Sequence, residues 1–371
     1  MPPLLLRDLD LPAMSRALAA YGLGERLARK VFACVHARWR PNFDSVEGLS
    51  AEVRKVLAAD CAFPDIEIIE RRRAADGFVK YLFRLHDGAE VEAVRIPLPD
   101  PADARALKEK RRRGETSGLV ALPTAKYSVC VSSQVGCALA CAFCATGKLG
   151  FSRNLATWEI VAQVQAIAAE AEHPVRGVLF LGMGEPLLNY DNVMRAARIL
   201  SHPAGLAISA DAISISTAGV VPAMRRFIEE NPRFRLIVSL AAPTAEARAS
   251  LMPIEKQWPL GDLVPAIRSY AKASATRVVV AYVAVGGVNM SREDARSLAC
   301  LFADMRVKID LIDVNDRSGG FRPPTEAEVS AFRDELFKFR IPVTRRYAGG
   351  RDIGAACGTL AATRRGGEVI G

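Results

Sequence analysis

The run Gly136-Cys-Ala-Leu-Ala-Cys-Ala-Phe-Cys-Ala-Thr-Gly147, GCALACAFCATG, decides how this chain is read. It sets Cys137, Cys141 and Cys144 at CxxxCxxC spacing. Three thiolates so spaced can hold three corners of an iron–sulfur cube and leave the fourth iron open. Clusters that only carry electrons usually have four protein ligands, so an open iron points to binding of a substrate or cofactor. The competing reading is a zinc site with Cys130 as a fourth thiolate.

Downstream of Tyr127, strand and helix patterns alternate. YSVCVS, GVLFLG, AISIST, RLIVSL, RVVVAYV and IDLIDV read as strands. LATWEIVAQVQAIAAEA, NVMRAARIL, VPAMRRFIEE, LGDLVPAIRSYAKA, REDARSLACLFADM and EAEVSAFRDELFKF read as helices, and PVTRR as a closing strand. Strand–helix repeats of this kind imply a parallel sheet wound as a barrel or partial barrel. The cysteine run follows the first strand, Gly182-Met-Gly-Glu-Pro186 the second, Ser216-Thr217 the third, Ser239 the fourth and Asn315 the sixth. Loops after the strands of such a barrel share one face, where active sites form. The polar motifs are therefore expected to meet at one mouth. A zinc site would not require that convergence, and it favours the cluster.

Upstream, residues 1–62 read as short helices: Met14, Ala17, Leu18 and Tyr21 have helical spacing, as do Leu27, Val31 and Val35, and Ser50 is an N-cap. Between Asp65 and Pro97, IEIIERRR, KYLFRL and VEAVRIPL alternate as strands broken at Asp76-Gly77 and Asp87-Gly88, giving a short antiparallel segment. Residues 98–126, rich in Pro, Gly and charge, read as a loop or basic arm. The expected division is 1–62 (helical, accessory), 63–126 (β segment plus arm) and 127–371 (barrel).

The chain has 371 residues, half apolar and a quarter charged, as in a globular protein. No apolar run approaches the ~20 residues of a membrane span, and the N-terminus lacks a signal-peptide pattern. A reducing, cytoplasmic setting is expected. Cys34, Cys61 and Cys300 are read as buried bystanders. The net charge of +9 favours a polyanionic partner, nucleic acid above all. Two basic stretches, ARALKEKRRRGE (104–115) and the one through Arg340, Arg345, Arg346 and Arg351, are either solvated loops or a phosphate-tracking surface, as are Arg364 and Arg365.

SSQVGCALACAFCATGKLGFSRNL (132–155), GMGEPLLNYDNV (182–193), STAGVVPAM (216–224), LMPIEK (251–256) and RDIGAACGTLA (351–361) together resemble the RlmN/Cfr group, radical S-adenosylmethionine (SAM) adenosine methyltransferases of bacterial ribosomal RNA. The resemblance covers nearly the whole chain. It implies an α/β fold, a partial (β/α)6 radical-SAM barrel with a small N-terminal helical domain, and a [4Fe–4S] cluster on Cys137, Cys141 and Cys144. It implies two SAM molecules per turnover. Carbons C2 and C8 of adenine are poor nucleophiles, which a radical route circumvents. In the group's mechanism, Cys357 would take a methyl group by displacement, as a thiolate. A second SAM would yield a radical that activates that methyl carbon for addition to the adenine. Glu92 would remove the ring proton, and Cys130 would attack Cys357 sulfur, releasing product as a disulfide forms.

The resemblance further assigns Gly184 and Glu185 to the cofactor's amino group, and Ser216, Ser239 and Asn315 to its ribose and carboxylate. Taken alone, Glu92 would be a surface glutamate, the two serines strand-end caps, Gly182 and Gly184 turn formers, and Cys130 and Cys357 small buried residues. Gly349 and Gly350 suggest a flexible stretch around Cys357. The implied substrate is adenosine C2 in 23S ribosomal RNA, and also transfer RNA; the alternatives are methylation at C8, a radical enzyme of this lineage acting on a different RNA or on a peptide, and, outside catalysis, a zinc-stabilised RNA-binding protein. A flavodoxin or ferredoxin system would donate electrons, and the chain is read as a monomer. Four features depart from the group: Ala241 for a His, Asp316 for a Pro, Leu27 and Lys30 for an Arg and a Gln, and the basic arm.

Overall fold

The computed structural model describes residues 3–37, 41–112, 123–316 and 318–361. Three helices come first: α1 (Leu11–Ala19), α2 (Glu25–His36) and α3 (Ala51–Asp60). Asp10 and Ser50 cap α1 and α3 by accepting N–H bonds from Ala13 and Val53, each worth about 1 kcal/mol. α1 and α2 bury Met14, Leu18, Val31, Phe32 and Val35.

One sheet of ten strands carries the rest. In chain order these are β1 (Glu67–Arg73), β2 (Val79–Arg84), β3 (Glu90–Pro99), β4 (Thr124–Val131), β5 (Val175–Phe180), β6 (Ile213–Thr217), β7 (Arg235–Leu240), β8 (Val278–Ala284), β9 (Val307–Asp313) and β10 (Val343–Arg345). Their spatial order is the chain order. β1 to β4 are antiparallel and β4 to β10 parallel. The antiparallel segment thus extends the barrel sheet. The parallel crossovers include α5 (Thr157–Glu170), α6 (Tyr190–Ser201), α7 (Val221–Glu230), α9 (Leu260–Ala273), α10 (Arg292–Leu301) and α11 (Glu326–Lys338), with the short α8 (Ala245–Leu251) ahead of α9.

Register separates the sheet's two faces. Val94 pairs with Cys130, Cys130 with Leu179 and Leu179 with Ser214. Alternate residues of a strand share a face. Lys80, Glu92, Cys130, Ser214, Ser216, Ser239 and Asp310 therefore line the same face. The opposite face is apolar and buried: Tyr81, Ala93, Val129, Phe180, Ile215, Val238, Val280 and Ile309. Barrel interiors are ordinarily filled by Val, Ile and Leu; here one face sets these polar side chains among Leu82, Val94, Leu179 and Ile237, and the other is wholly apolar at the positions named.

The N-terminal helices join the barrel through α5. Asp8 Oδ1 accepts the Trp158 N–H at its start (2.8 Å), and Gln165 Nε2 donates to the carbonyls of Val35 (3.1 Å) and His36 (2.9 Å) at the end of α2. His36 itself is buried, 3.1 Å from the Leu9 carbonyl, and burial pushes it down to about 3 from 6.5. Between those values the unfolded chain takes a proton that the folded one refuses. Stability is thus unaffected by this group above pH 6.5 and falls by about 1.4 kcal/mol per pH unit below it. Urea unfolding at pH 7 and pH 5 should show a pH-dependent loss about 2 kcal/mol smaller in His36→Gln than in wild type.

Two expectations are corrected, and one open reading gains partners. Residues 101–112 form a helix, α4 (Pro101–Arg112), rather than a loop. Asp100 starts it by accepting the Ala102 N–H (2.7 Å), Pro101 suits the first turn, and Ala, Leu, Lys and Arg are good helix formers; the remainder of the arm, 113–122, lies outside the described residues, as do Arg364 and Arg365. Cys300 is exposed on α10, not buried. Three of the arginines toward the C-terminus are paired with acids. Arg345 pairs with Asp313 (2.8 Å) and Glu326 (2.6 Å), Arg351 with Asp313 (3.2 Å), and Arg346 with Asp310. No helix among the described residues is long and apolar enough to cross a membrane.

Candidate active site

The loops after the parallel strands meet at the C-terminal end of the sheet, and the cysteine loop lies among them. Four main-chain bonds shape it. The Cys137 N–H donates to Gly150 O (2.7 Å), Ala142 N–H to Leu251 O (3.0 Å), Cys144 N–H to Cys141 O (3.0 Å), and Ala145 N–H to Gly358 O (2.8 Å). Burial pushes the Cys137 thiol up to about 11 and raises Cys141, with smaller contributions from neighbouring cysteine charge. Iron would have to displace these protons on binding. Among the described residues no three His, Cys, Asp or Glu side chains are placed to share one metal ion. Cys130 is buried on β4, and the cysteine whose charge acts on it is Cys357 rather than one of the cysteine-loop thiols.

Beside this loop lies the Gly182–Pro186 turn. A Cβ on Gly182 would come within 2.6 Å of Val131 main chain, and one on Gly184 within 2.6 Å of the Gln134 side chain. Gly184 also has φ +102. Both glycines thus allow the turn to lie directly on the end of β4. Gln134 Oε1 accepts the Glu185 N–H (2.8 Å). The Glu185 carboxylate accepts from Leu187 N–H (3.0 Å) and Ala218 N–H (2.8 Å). Burial raises its carboxyl to about 7 against those bonds. A cationic group binding there would restore the charged form.

Ser216 and Ser239 sit on neighbouring strands with hydroxyls 3.2 Å apart. Asn315 Nδ2 donates to Asp313 O (2.9 Å) and reaches Cys357 O at 3.5 Å. Of the departing positions, Ala241 is fully buried, its carbonyl held by Asn289 Nδ2 at 2.6 Å. Asp316 accepts from Ser318 and Phe321 N–H and pairs with Lys148 (3.5 Å) beyond the cysteine loop. Lys30 is tied to Glu47, by its carboxylate (3.1 Å) and carbonyl (2.9 Å).

The segment bearing Cys357 crosses this mouth as a strap pinned at both ends. Asp76 accepts from Tyr347 Oη and Gly350 N–H, both 2.9 Å. Gly349 lies so close to Phe78 that a Cβ would meet its ring at 2.1 Å. Farther on, Thr146 Oγ1 donates to Leu360 O (2.6 Å) and Ala361 N–H to Glu92 Oε2 (2.9 Å). The glycines permit close packing rather than a loose stretch. Cys357 is exposed but flanked by protein, which raises its thiol, and Cys144 charge adds to the effect. Burial raises the Cys130 thiol, and the nearby Cys357 raises it further. Glu92 is fully buried, not at the surface, and its Oε1 is 2.7 Å from Lys80 Nζ. Gln134, Lys80 and Asn289 were not singled out by the sequence; a Lys and a Glu at matching alternate positions of adjacent strands were the only local signal.

Residues 131–299 match the Radical SAM superfamily. A "Probable RNA methyltransferase" of Myxococcus xanthus (strain DK1622) is 50% identical over 98% of this chain and 96% of its own length. The "Dual-specificity RNA methyltransferase RlmN" of Syntrophobacter fumaroxidans is 38% identical over 98% of this chain and 99% of its own. The chain belongs to the RlmN family of radical SAM methyltransferases. A crystal structure of a radical SAM methyltransferase from Sphaerobacter thermophilus, 35% identical, superposes with a TM-score of 0.84 over 97% of this chain and 100% of that one. The RlmN-family fold and cofactors, a [4Fe–4S] cluster and SAM, thus agree with the barrel and with the thiol set at its mouth.

Proposed function

We propose that this enzyme methylates C2 of an adenosine in 23S ribosomal RNA, and in transfer RNA, through a methylated Cys357 and a Cys130–Cys357 disulfide. RNA as the substrate class rests on the relatives, whose names state it. The mechanism is supported chiefly by one juxtaposition. Cys357 is near enough to Cys130 and to Cys144 for their charges to interact, and the strap carrying it is bonded through the Ala361 N–H to the carboxylate of Glu92.

Cys137, Cys141 and Cys144 would hold the cluster, and Glu185, Gly184, Ser216, Ser239 and Asn315 the SAM. When bound, these cofactors supply the methyl group and the one-electron chemistry that activates it. Cys357 loses its proton and carries the methyl group on Sγ. The activated carbon joins the adenine ring, and Glu92, held by Lys80 and the Ala361 N–H, accepts the ring proton. The one-electron chemistry that the bound cofactors supply would take back the adduct's unpaired electron. Cys130, as a thiolate, attacks Cys357 Sγ; the carbon–sulfur bond breaks with its electron pair left on the methylene carbon, which takes a proton to become the methyl group, the methylated base leaves and the disulfide remains. An external thiol reductant then resets the pair.

Residues 1–62 would serve as the RNA-binding accessory region, 63–126 as the β segment and arm, and 127–371 as the catalytic barrel. Arg26 and Arg29 of α2 line an open depression with Lys30 and Ala204 and suit phosphate contacts. We further propose a monomer in a cytoplasmic setting, reduced by a flavodoxin or ferredoxin system. Nucleoside mass spectrometry of RNA treated with the reconstituted enzyme tests the reading: 2-methyladenosine is expected. Product at C8, or none in ribosomal RNA, would overturn it.

A further inference from the structure

Arg248, on α8, is fully buried. Its guanidinium pairs with Glu255, donates from Nη1 to Trp258 O (3.1 Å) and from Nη2 to Ala218 O (2.8 Å). Ala218 is the residue whose N–H binds Glu185 Oε2 (2.8 Å). Gly219, at φ +105, brings the main chain close enough that a Cβ there would lie 3.3 Å from Nη2. Three residues beyond Arg248 in the same helix, Leu251 O accepts the N–H of Ala142, which lies between Cys141 and Cys144. One short helix thus grips the cysteine loop with its last carbonyl and the Glu185 support with its arginine. The helix itself is anchored: Thr244 Oγ1 accepts the Ala247 N–H (3.3 Å), and Glu255, the partner of Arg248, accepts the Leu260 N–H (3.0 Å).

A buried ion pair is by itself weak evidence for stability, since apolar residues of similar volume often serve as well. What an apolar replacement cannot supply is the directed bond to Ala218. We propose that Arg248 is a positioning residue, holding Ala218 so that the Glu185 carboxylate keeps a fixed place relative to the cysteine loop. This rests on the reading of Glu185 as the group that receives the cofactor's amino end. In this role Arg248 acts through Ala218, its contacts being to Glu255, Trp258 O and Ala218 O.

The test uses reconstituted full-length enzyme, with SAM affinity measured by equilibrium dialysis and the reduced cluster followed by electron paramagnetic resonance with and without SAM. Arg248→Lys keeps a charge for Glu255 but not the forked reach to Ala218. It is expected to load iron as wild type does, bind SAM roughly tenfold more weakly, and show a smaller SAM-induced change in the cluster spectrum. Glu185→Gln should weaken SAM binding by itself, and adding Arg248→Lys to it should cost less than about twofold more, because both act on one carboxylate. Wild-type affinity in Arg248→Lys, or factors that multiply fully in the double variant, would overturn the proposal. Wild-type affinity in Glu185→Gln would instead overturn the reading of Glu185 beneath it, whatever Arg248→Lys does. Should Arg248→Lys not fold, Glu255→Gln leaves the arginine but slackens its clamp: a lower SAM affinity at unchanged iron content supports the proposal, and unchanged affinity overturns it.

Discussion

Cys357→Ala is expected to give no methylated RNA and no protein–RNA adduct, whereas Cys130→Ala is expected to accumulate a covalent adduct that survives denaturation. The difference follows from the order of the two thiols in the proposed reaction. Without the Cys357 sulfur nothing on the protein carries the methyl carbon, so no bond to the base can form. Without the Cys130 sulfur the bond forms and cannot be broken, because release needs a thiolate next to Cys357. Cys130 is placed for that, on β4 and close enough to Cys357 for their charges to interact. Denaturing gels with labelled RNA and nucleoside mass spectrometry separate the outcomes. Normal turnover by Cys130→Ala would exclude the two-cysteine mechanism in this enzyme.

The second large effect concerns a residue that holds no ligand. Gly136→Ala is expected to lose most of its iron, although all three cysteines remain. Gly136 has φ +73, and a Cβ there would lie 1.9 Å from the Gly150 carbonyl, which accepts the Cys137 N–H. The methyl group must push that carbonyl away and pull the first cysteine with it, a local cost of about 3 kcal/mol or more. Gly150→Ala is the control. Its φ of +77 is equally unusual, but a Cβ there meets nothing within 4 Å. It pays only the backbone penalty of about 1 kcal/mol and should load iron nearly as wild type does. Iron analysis after anaerobic reconstitution decides; full iron in a folded Gly136→Ala would show that the loop can form without the Gly150 bond.

Much of the barrel was legible because its signals are local. YSVCVS, AISIST and RLIVSL each announce a strand, and their alternation also separates Ser128 and Cys130, Ser214 and Ser216, or Ser239 from the Val, Ile and Leu between them. Which of those two faces looks inward was not legible, since a strand pattern reports two faces without naming them. The arm was misread because Pro and charge suggest a loop, yet Asp100 and the run of helix formers after Pro101 outweigh them. Cys300 was misplaced because its apolar neighbours in sequence lie on the other side of α10. The C-terminal arginines were ambiguous because their partners, Asp310 and Asp313, are 32 to 38 residues away on β9.

By itself the sequence determined the kind of elements, their order, and the three-cysteine motif, because periodicity and spacing within ten or so residues dictate those. Only the tertiary structure decided that Glu92 is buried against Lys80, that the Cys357 strap is fastened at Asp76 and Glu92, and that Arg248 joins Ala218 to the helix holding the cysteine loop. Each of these is a contact between segments far apart in the chain. Such contacts arise from how strands register and loops converge at one end of a sheet, and no local pattern carries that information.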